Sequence, residues 1–280
     1  MIFSLLRIQQ WAKNFLIFSN GIFLHNYNAL FSLDLLYAFL SFSLIASSGY
    51  IINDIKDLEN DKKHPQKKNR PIQSGKISIN KAISIFVFLY LSSNIFAALI
   101  SIKFLFTVNI YLVLSLIYTF YIKKIFFIDI VFISSMLFIR IFSGEYIYNI
   151  ETSVYLLLIS FAVFLTLLSL KRLSELKVTD KIYYKSKKYN QKNINLIFYF
   201  FFVISLVILV YYFIFGDGEL FYKNNIVFFI ISSFSFWVLY LKKKADDGKI
   251  KSDPFLFCFK DKTSISFAIF VLVLILFFGK

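Results

Sequence analysis

The sequence predicts an all-α, polytopic integral membrane protein with nine transmembrane helices in one bundle, read as a single domain over residues 1–280. Three observations predict it. Hydrophobic residues make up 59% of the chain and charged residues only 17%, against about 25% charged in an ordinary soluble domain. The apolar residues fall in runs long enough to cross a bilayer, which takes about 20 residues. The charged residues fall between those runs, and Lys+Arg outnumber Asp+Glu by 31 to 16. A soluble globular enzyme and a disordered chain are both excluded by this composition. The formal charge of +15 would suggest nucleic acid in a soluble protein. No folded nucleic-acid module is present, so we expect no nucleic-acid partner and read the charge as cytoplasmic loops and anionic ligands. The abundance of Lys, Phe, Ile, Asn and Tyr also fits an AT-rich genome, which makes part of the excess mutational.

The nine stretches are 15–31, 33–53, 82–102, 104–122, 125–147, 153–171, 194–215, 224–241 and 263–279. The first is interrupted by Asn20, His25, Asn26 and Asn28. Connecting segments 54–81, 172–193 and 242–262 are basic, and Lys123 and Lys124 sit between the fourth and fifth stretches. The opposite turns carry only Lys103, Lys223 and the terminal Lys280. Positive residues stay inside. That places the N-terminus and the basic loops in the cytoplasm of a plasma (inner) membrane protein, and the C-terminus outside. No signal peptide precedes the first stretch. The single cysteine, Cys258, permits no internal disulfide and reads as inert, and two distant histidines exclude a structural zinc site.

Chemistry concentrates after the second stretch, at Asn53-Asp54-Ile55-Lys56-Asp57-Leu58-Glu59-Asn60-Asp61. On a continuing helix, Asp54, Asp57 and Asp61 fall within about 60° of one another, since each residue turns about 100°. Carboxylates on one face repel unless a cation lies between them. Hard oxygen donors of this kind suit Mg²⁺. Within ten residues a cationic stretch follows, with Lys67, Lys68 and Arg70. Metal-binding carboxylates beside phosphate-binding cations are what a Mg²⁺–diphosphate site requires. A merely solvated helix end with mixed charges is the plainer reading of the same run.

The stretch Asn53 to Gly75 resembles the first signature, NDxxDxxxD, of the UbiA-type intramembrane prenyltransferase superfamily. Its continuation through His64, Pro65, Lys67, Arg70, Pro71, Ile72 and Gly75 resembles the decaprenyl-phosphate phosphoribosyltransferase branch. The N-terminal Arg7-Ile8-Gln9-Gln10-Trp11-Ala12-Lys13-Asn14 is similar to that branch's RPxQWxKN, with Ile8 in place of the proline. Tyr118, Lys123 and Asp129 fit its Y-x4-K-x5-D spacing, and Phe138-Ile139-Arg140 with Gly144 fits FxLRxxxG. Nine helices, with the active site at the cytoplasmic side, are what the resemblance implies.

Aromatic prenyltransferases of the superfamily carry a second aspartate motif after helix 6. Here Lys171-Arg172-Leu173-Ser174-Glu175 stands in that place, and Asp180 has no second aspartate four residues away. The pattern resembles the KRxxE of the phosphoribosyl branch. The resemblance implies a Mg²⁺-dependent transferase. It would move 5-phosphoribosyl from 5-phosphoribose 1-diphosphate to a polyprenyl phosphate for cell-surface glycan precursors, with an aromatic prenyltransferase of quinone biosynthesis as the alternative. It implies metal ligation by Asp54, Asp57 and Asp61, with Asn53 on the metal or a ribose hydroxyl. It also implies phosphate contacts from Lys13, Lys67, Arg70, Lys123, Arg140, Lys171 and Arg172, with Glu175 beside them. Alternatively Lys171, Arg172 and Glu175 form an interfacial ion pair. Arg140 lies about 22 Å into its helix. A charge so deep faces substrate phosphate or a structural partner such as Glu145 or Asp129.

Overall fold

The computed structural model describes residues 2–23, 31–64, 67–178, 190–215, 226–250 and 253–278. Asp180, Pro65 and the turn carrying Lys223 lie outside them. Among the described residues the regular structure is helical. The helices are α1 Ile2–Leu6, α2 Ser19–Phe23, α3 Leu33–Lys56, α4 Leu58–Lys62, α5 Ile79–Ile100, α6 Ile102–Phe120, α7 Ile128–Phe142, α8 Gly144–Tyr148, α9 Val154–Val178, α10 Gln191–Phe215, α11 Ile226–Asp246, α12 Pro254–Cys258 and α13 Lys262–Phe278. A 3-10 segment, Ile8–Phe18, joins α1 to α2.

Seven helical stretches among the described residues are long and apolar enough to cross a bilayer. They begin at Leu33, Ile79, Ile102, Ile128, Val154, Gln191 and Ile226, and so correspond to seven of the nine expected spans. The protein is a multi-pass membrane protein. The other two expected spans differ. α13 is apolar but 17 residues long. The first expected span forms 3-10 and short α-helical turns as far as Phe23, with residues 24–30 outside the described set. Asn14, just before this stretch, and Asn20 within it are fully buried and bond to Ser43 and Thr152, so protein contacts shape this segment.

Exposed apolar residues show where lipid lies. On α5, Phe88, Leu91, Ile95 and Leu99 recur at helical spacing and are all more than half exposed. In water such a stripe would be a liability; in a bilayer it is the solvated face. Serines cap the helix starts: Ser32 accepts from Leu35 N–H, Ser78 from Lys81 N–H and Ser101 from Phe104 N–H.

The chain divides into two compact units, one of Met1–Lys123 with Ile139–Thr152, the other of Lys124–Phe138 with Ser153–Lys280. In the first, Leu5 of α1, Ile51 of α3, Ile72 and Ile77 of the following loop, and Ala82 and Leu89 of α5 form one core. α3 turns small residues inward, with Ala46, Ser47, Ser48 and Gly49 all buried, so its neighbours approach closely. In the second unit, Leu170, Leu173, Ile194, Phe198 and Val238 are buried, and Trp237 stacks on Phe267 at 4.8 Å.

Candidate functional site

The acidic run closes α3. Its helix is interrupted at Asp57 (φ −89°, ψ 4°) and resumes as α4. The expected uninterrupted face of three carboxylates is therefore split. Asp54 and Asp61 converge, while Asp57 turns to Lys123. The loop 67–77 folds back over the helix end because Ile72 and Ile77 bury into the first unit's core. Its turn is closed by Ile77 N–H donating to Pro71 C=O at 3.0 Å and by Gly75 at φ +73°, a conformation glycine adopts without strain. Gln73 Nε2 donates to the Asp54 carbonyl at 3.0 Å and fastens loop to helix.

This fold-back delivers Arg70. Its Nη1 lies 3.0 Å from Asp54 Oδ1 and 2.7 Å from Asp61 Oδ2. Lys67 Nζ lies 3.4 Å from Asp61 Oδ1. Lys123 pairs with Asp57 and reaches Asn53 Oδ1 at 3.4 Å. Arg7, which the sequence placed in a motif without a role, pairs with Asp54. Its guanidinium stacks over Tyr50, 4.8 Å from the ring centre. Its φ of 50° and ψ of 51° are left-handed, uncommon for a side-chain-bearing residue. Only a contact between chain segments far apart in sequence shows this role, and the Arg-x-x-Gln-Trp resemblance was its sole signal. Burial pushes Lys67 below the usual lysine range, with nearby Asp61 opposing, and pushes Arg70 down as well.

Asp54, Asp61, Asp57 and Asn53 are hard oxygen donors. Two of them already focus on one cationic nitrogen, that of Arg70. Among the described residues no three His, Cys, Asp or Glu side chains gather as a metal-binding group. The converging pair nevertheless fits Mg²⁺, which takes one or two carboxylates together with substrate phosphate and water.

Lys13 and Arg140 lie elsewhere in the first unit. Arg140 is 2% exposed, and its Nε donates to Asn14 Oδ1 at 2.8 Å and its Nη2 to Tyr111 OH at 3.0 Å. It also stacks on Tyr111 and approaches the Phe42 ring. Phe42 is twelve residues before Asp54, about 18 Å along α3. Arg140 therefore clamps the 3-10 segment, α6 and α7, and the structure does not bring it to the carboxylates. Lys13 is buried beside Asn14.

In the second unit α9 presents the other expected cluster. Arg172 Nη2 lies 2.8 Å from Asp129 Oδ2, and Arg172 Nη1 lies 2.5 Å from Glu175 Oε2. Asp129 is fully buried in the first turn of α7. Lys171 Nζ lies 3.3 Å from Asp253 Oδ2, and Asp253 also caps α12. Each cation is thus held by a carboxylate. The sequence offered Asp129 as a motif position and as a partner for Arg140, but not its pairing with Arg172, and it gave Asp253 no role, because these partners lie far along the chain. Burial pushes the Cys258 thiol up to about 12, in keeping with an inert side chain.

The sequence profile of the UbiA prenyltransferase family matches residues 15–260. The chain belongs to that family. Its UbiA fold is seen again in a UbiA homolog from Archaeoglobus fulgidus bound to GPP and Mg²⁺, which superposes with a TM-score of 0.75 over 97% of this chain and 98% of that one, at 18% identity. A decaprenyl-phosphate phosphoribosyltransferase of Mycobacterium tuberculosis is 31% identical over 182 residues, 63% of this chain and 60% of that protein. An uncharacterized protein of Sinorhizobium fredii, y4nM, is 34% identical over 172 residues, 60% of this chain and 33% of that one. The UbiA-family chain thus spans between a third and three fifths of these curated relatives.

Proposed function

We propose that the chain transfers a 5-phosphoribosyl group from 5-phosphoribose 1-diphosphate to a polyprenyl phosphate, releasing diphosphate, as a step toward a cell-surface glycan precursor. The observation that carries this reading is the second polar cluster. Lys171 and Arg172 stand where an aromatic prenyltransferase would want a second pair of aspartates, and a cationic cluster suits more phosphate and fewer metal ions. The similarity to decaprenyl-phosphate phosphoribosyltransferases of M. tuberculosis and Corynebacterium glutamicum, at 31% and 32% identity, supports it.

The bond from the anomeric carbon to diphosphate breaks, and its electron pair leaves with diphosphate. An oxygen of the lipid phosphate forms the new bond. That oxygen is already anionic, so no strong general base is needed. Asp54 and Asp61, with Asp57 and Asn53 beside them, would hold Mg²⁺, an ion with which the A. fulgidus homolog is also bound. When bound, the ion would neutralise charge on the departing diphosphate. Arg70, Lys67 and Lys123 hold phosphate oxygens and orient two anions against their repulsion. In the second unit Lys171 and Arg172 offer further phosphate contacts, with Glu175 fixing Arg172. The lipid tail enters among the helices, which accounts for sugar-phosphate chemistry on a membrane fold. Residues 1–280 act as one catalytic domain in the plasma membrane, with its polar clusters in the cytoplasm.

Membranes carrying the protein are given radiolabelled 5-phosphoribose 1-diphosphate, polyprenyl phosphate and Mg²⁺. Label moves into the lipid phase, the transfer is abolished by chelator, and Asp54→Asn or Arg172→Ala lowers it by about 100-fold or more. No transfer to any polyprenyl phosphate, with prenyl transfer from a prenyl diphosphate to an aromatic acid instead, would replace this reading by the aromatic one.

A further inference from the structure

We propose that Arg7 guards the metal-binding carboxylate Asp54, so that a divalent cation enters only together with the diphosphate that draws the guanidinium away. The inference rests on the function proposed above and specifies the order in which its ligands bind. Its basis is a layering of charge. The Asp54 side chain is 2% exposed and that of Asp61 4%, whereas those of Arg7, Arg70 and Lys67 are 22%, 26% and 28% exposed. The carboxylates lie beneath and the cations lie over them. A lone divalent cation therefore meets a positive layer and carboxylates that are already paired. A polyanion meets that layer attractively, and each guanidinium it draws off leaves a carboxylate open.

Lys67 and Arg70 belong to the fold-back loop, whereas Arg7 comes from the N-terminal segment, and its placement is enforced. Its left-handed backbone is a conformation held only where the surroundings over-determine it. Ser47 Oγ donates to Leu6 C=O at 2.8 Å and accepts from Trp11 Nε1 at 3.0 Å, which pins the segment on both sides of Arg7. Gln10 N–H donates to Arg7 C=O at 2.7 Å. Tyr50 supports the guanidinium from below. The chain stays fixed while the long side chain, bound at its tip, is free to change partner from carboxylate to phosphate, a fork geometry that both anions satisfy.

The test is Mn²⁺ binding to the full-length protein in detergent, read by the electron paramagnetic resonance of free Mn²⁺, with and without inorganic diphosphate. A protein-free titration corrects for Mn²⁺–diphosphate in solution. Wild type binds Mn²⁺ alone weakly, and diphosphate tightens it by about tenfold or more. Arg7→Gln binds Mn²⁺ alone about fivefold tighter, and the coupling shrinks by the same factor, since the affinity with diphosphate bound, when the guanidinium has already left Asp54, stays the same. Arg7→Gln with wild-type Mn²⁺ affinity and full coupling overturns the guarding role while leaving the proposed transfer intact. Wild type that binds no Mn²⁺ under either condition overturns both. Should Arg7→Gln melt early, Tyr50→Leu loosens the guanidinium without removing a charge. A smaller shift in the same direction supports the proposal, and an unchanged Mn²⁺ affinity overturns it.

Discussion

Lys67 is covered before any ligand arrives, and its covering carries a consequence for pH. Desolvation lowers its proton affinity more than Asp61 restores it. The charged form, which attracts phosphate, exists below the pKa and is lost above it. Affinity for the diphosphate substrate should therefore fall as the pH rises through a value below that of a solvent lysine. In Lys67→Arg the fall should move to higher pH, measured as the pH profile of KM for 5-phosphoribose 1-diphosphate. Asp54, Asp61 and Arg70 were legible in the sequence because a hydrophobic run ends in spaced carboxylates and a cationic stretch follows at once. The partners of Arg7 and Asp129 were not. Nothing local marks a residue whose partner is more than forty positions away, and Arg140 shows a related limit. Its depth left substrate phosphate and a structural partner equally open, and Asn14, Tyr111 and the Phe42 ring are partners the sequence did not suggest.

At the scale of elements, close packing carries the first unit. Gly144 opens α8 against α2, and a methyl group there would stand 2.6 Å from Asn20 Nδ2 and 2.8 Å from Asn20 Cγ. Asn20 is fully buried and donates to Thr152 Oγ1 at 2.7 Å, so it has little room to retreat. Gly144→Ala should cost about 1–3 kcal/mol of stability, seen as a lower melting temperature in detergent. Asn20→Ala in the same background should recover part of that loss, because the two positions share one space. The long spans were legible because hydropathy and length decide them almost alone. The first expected span was legible only as an interruption at its asparagines, because Asn14 just before it and Asn20 within it are held by side chains of other elements and the backbone as far as Phe18 winds as a 3-10 segment. The break at Asp57 was invisible, since helix periodicity carries no signal for one residue at φ −89° and ψ 4°.

For the molecule as a whole, the distribution of Lys and Arg leads to a definite arrangement in the membrane. Reporter fusions should place the N-terminus and the segment 54–81 in the cytoplasm and the C-terminus outside. A cytoplasmic C-terminus would mean an even number of crossings. Assembly also depends on Ser47, where the Trp11 ring nitrogen, the Leu6 carbonyl and α3 meet in a single hydroxyl. Alanine at that position would make α3 a better lipid-soluble helix and would slightly favour its insertion. It would also release the N-terminal arm from the bundle. At this position the assembled protein and the isolated helix favour opposite side chains.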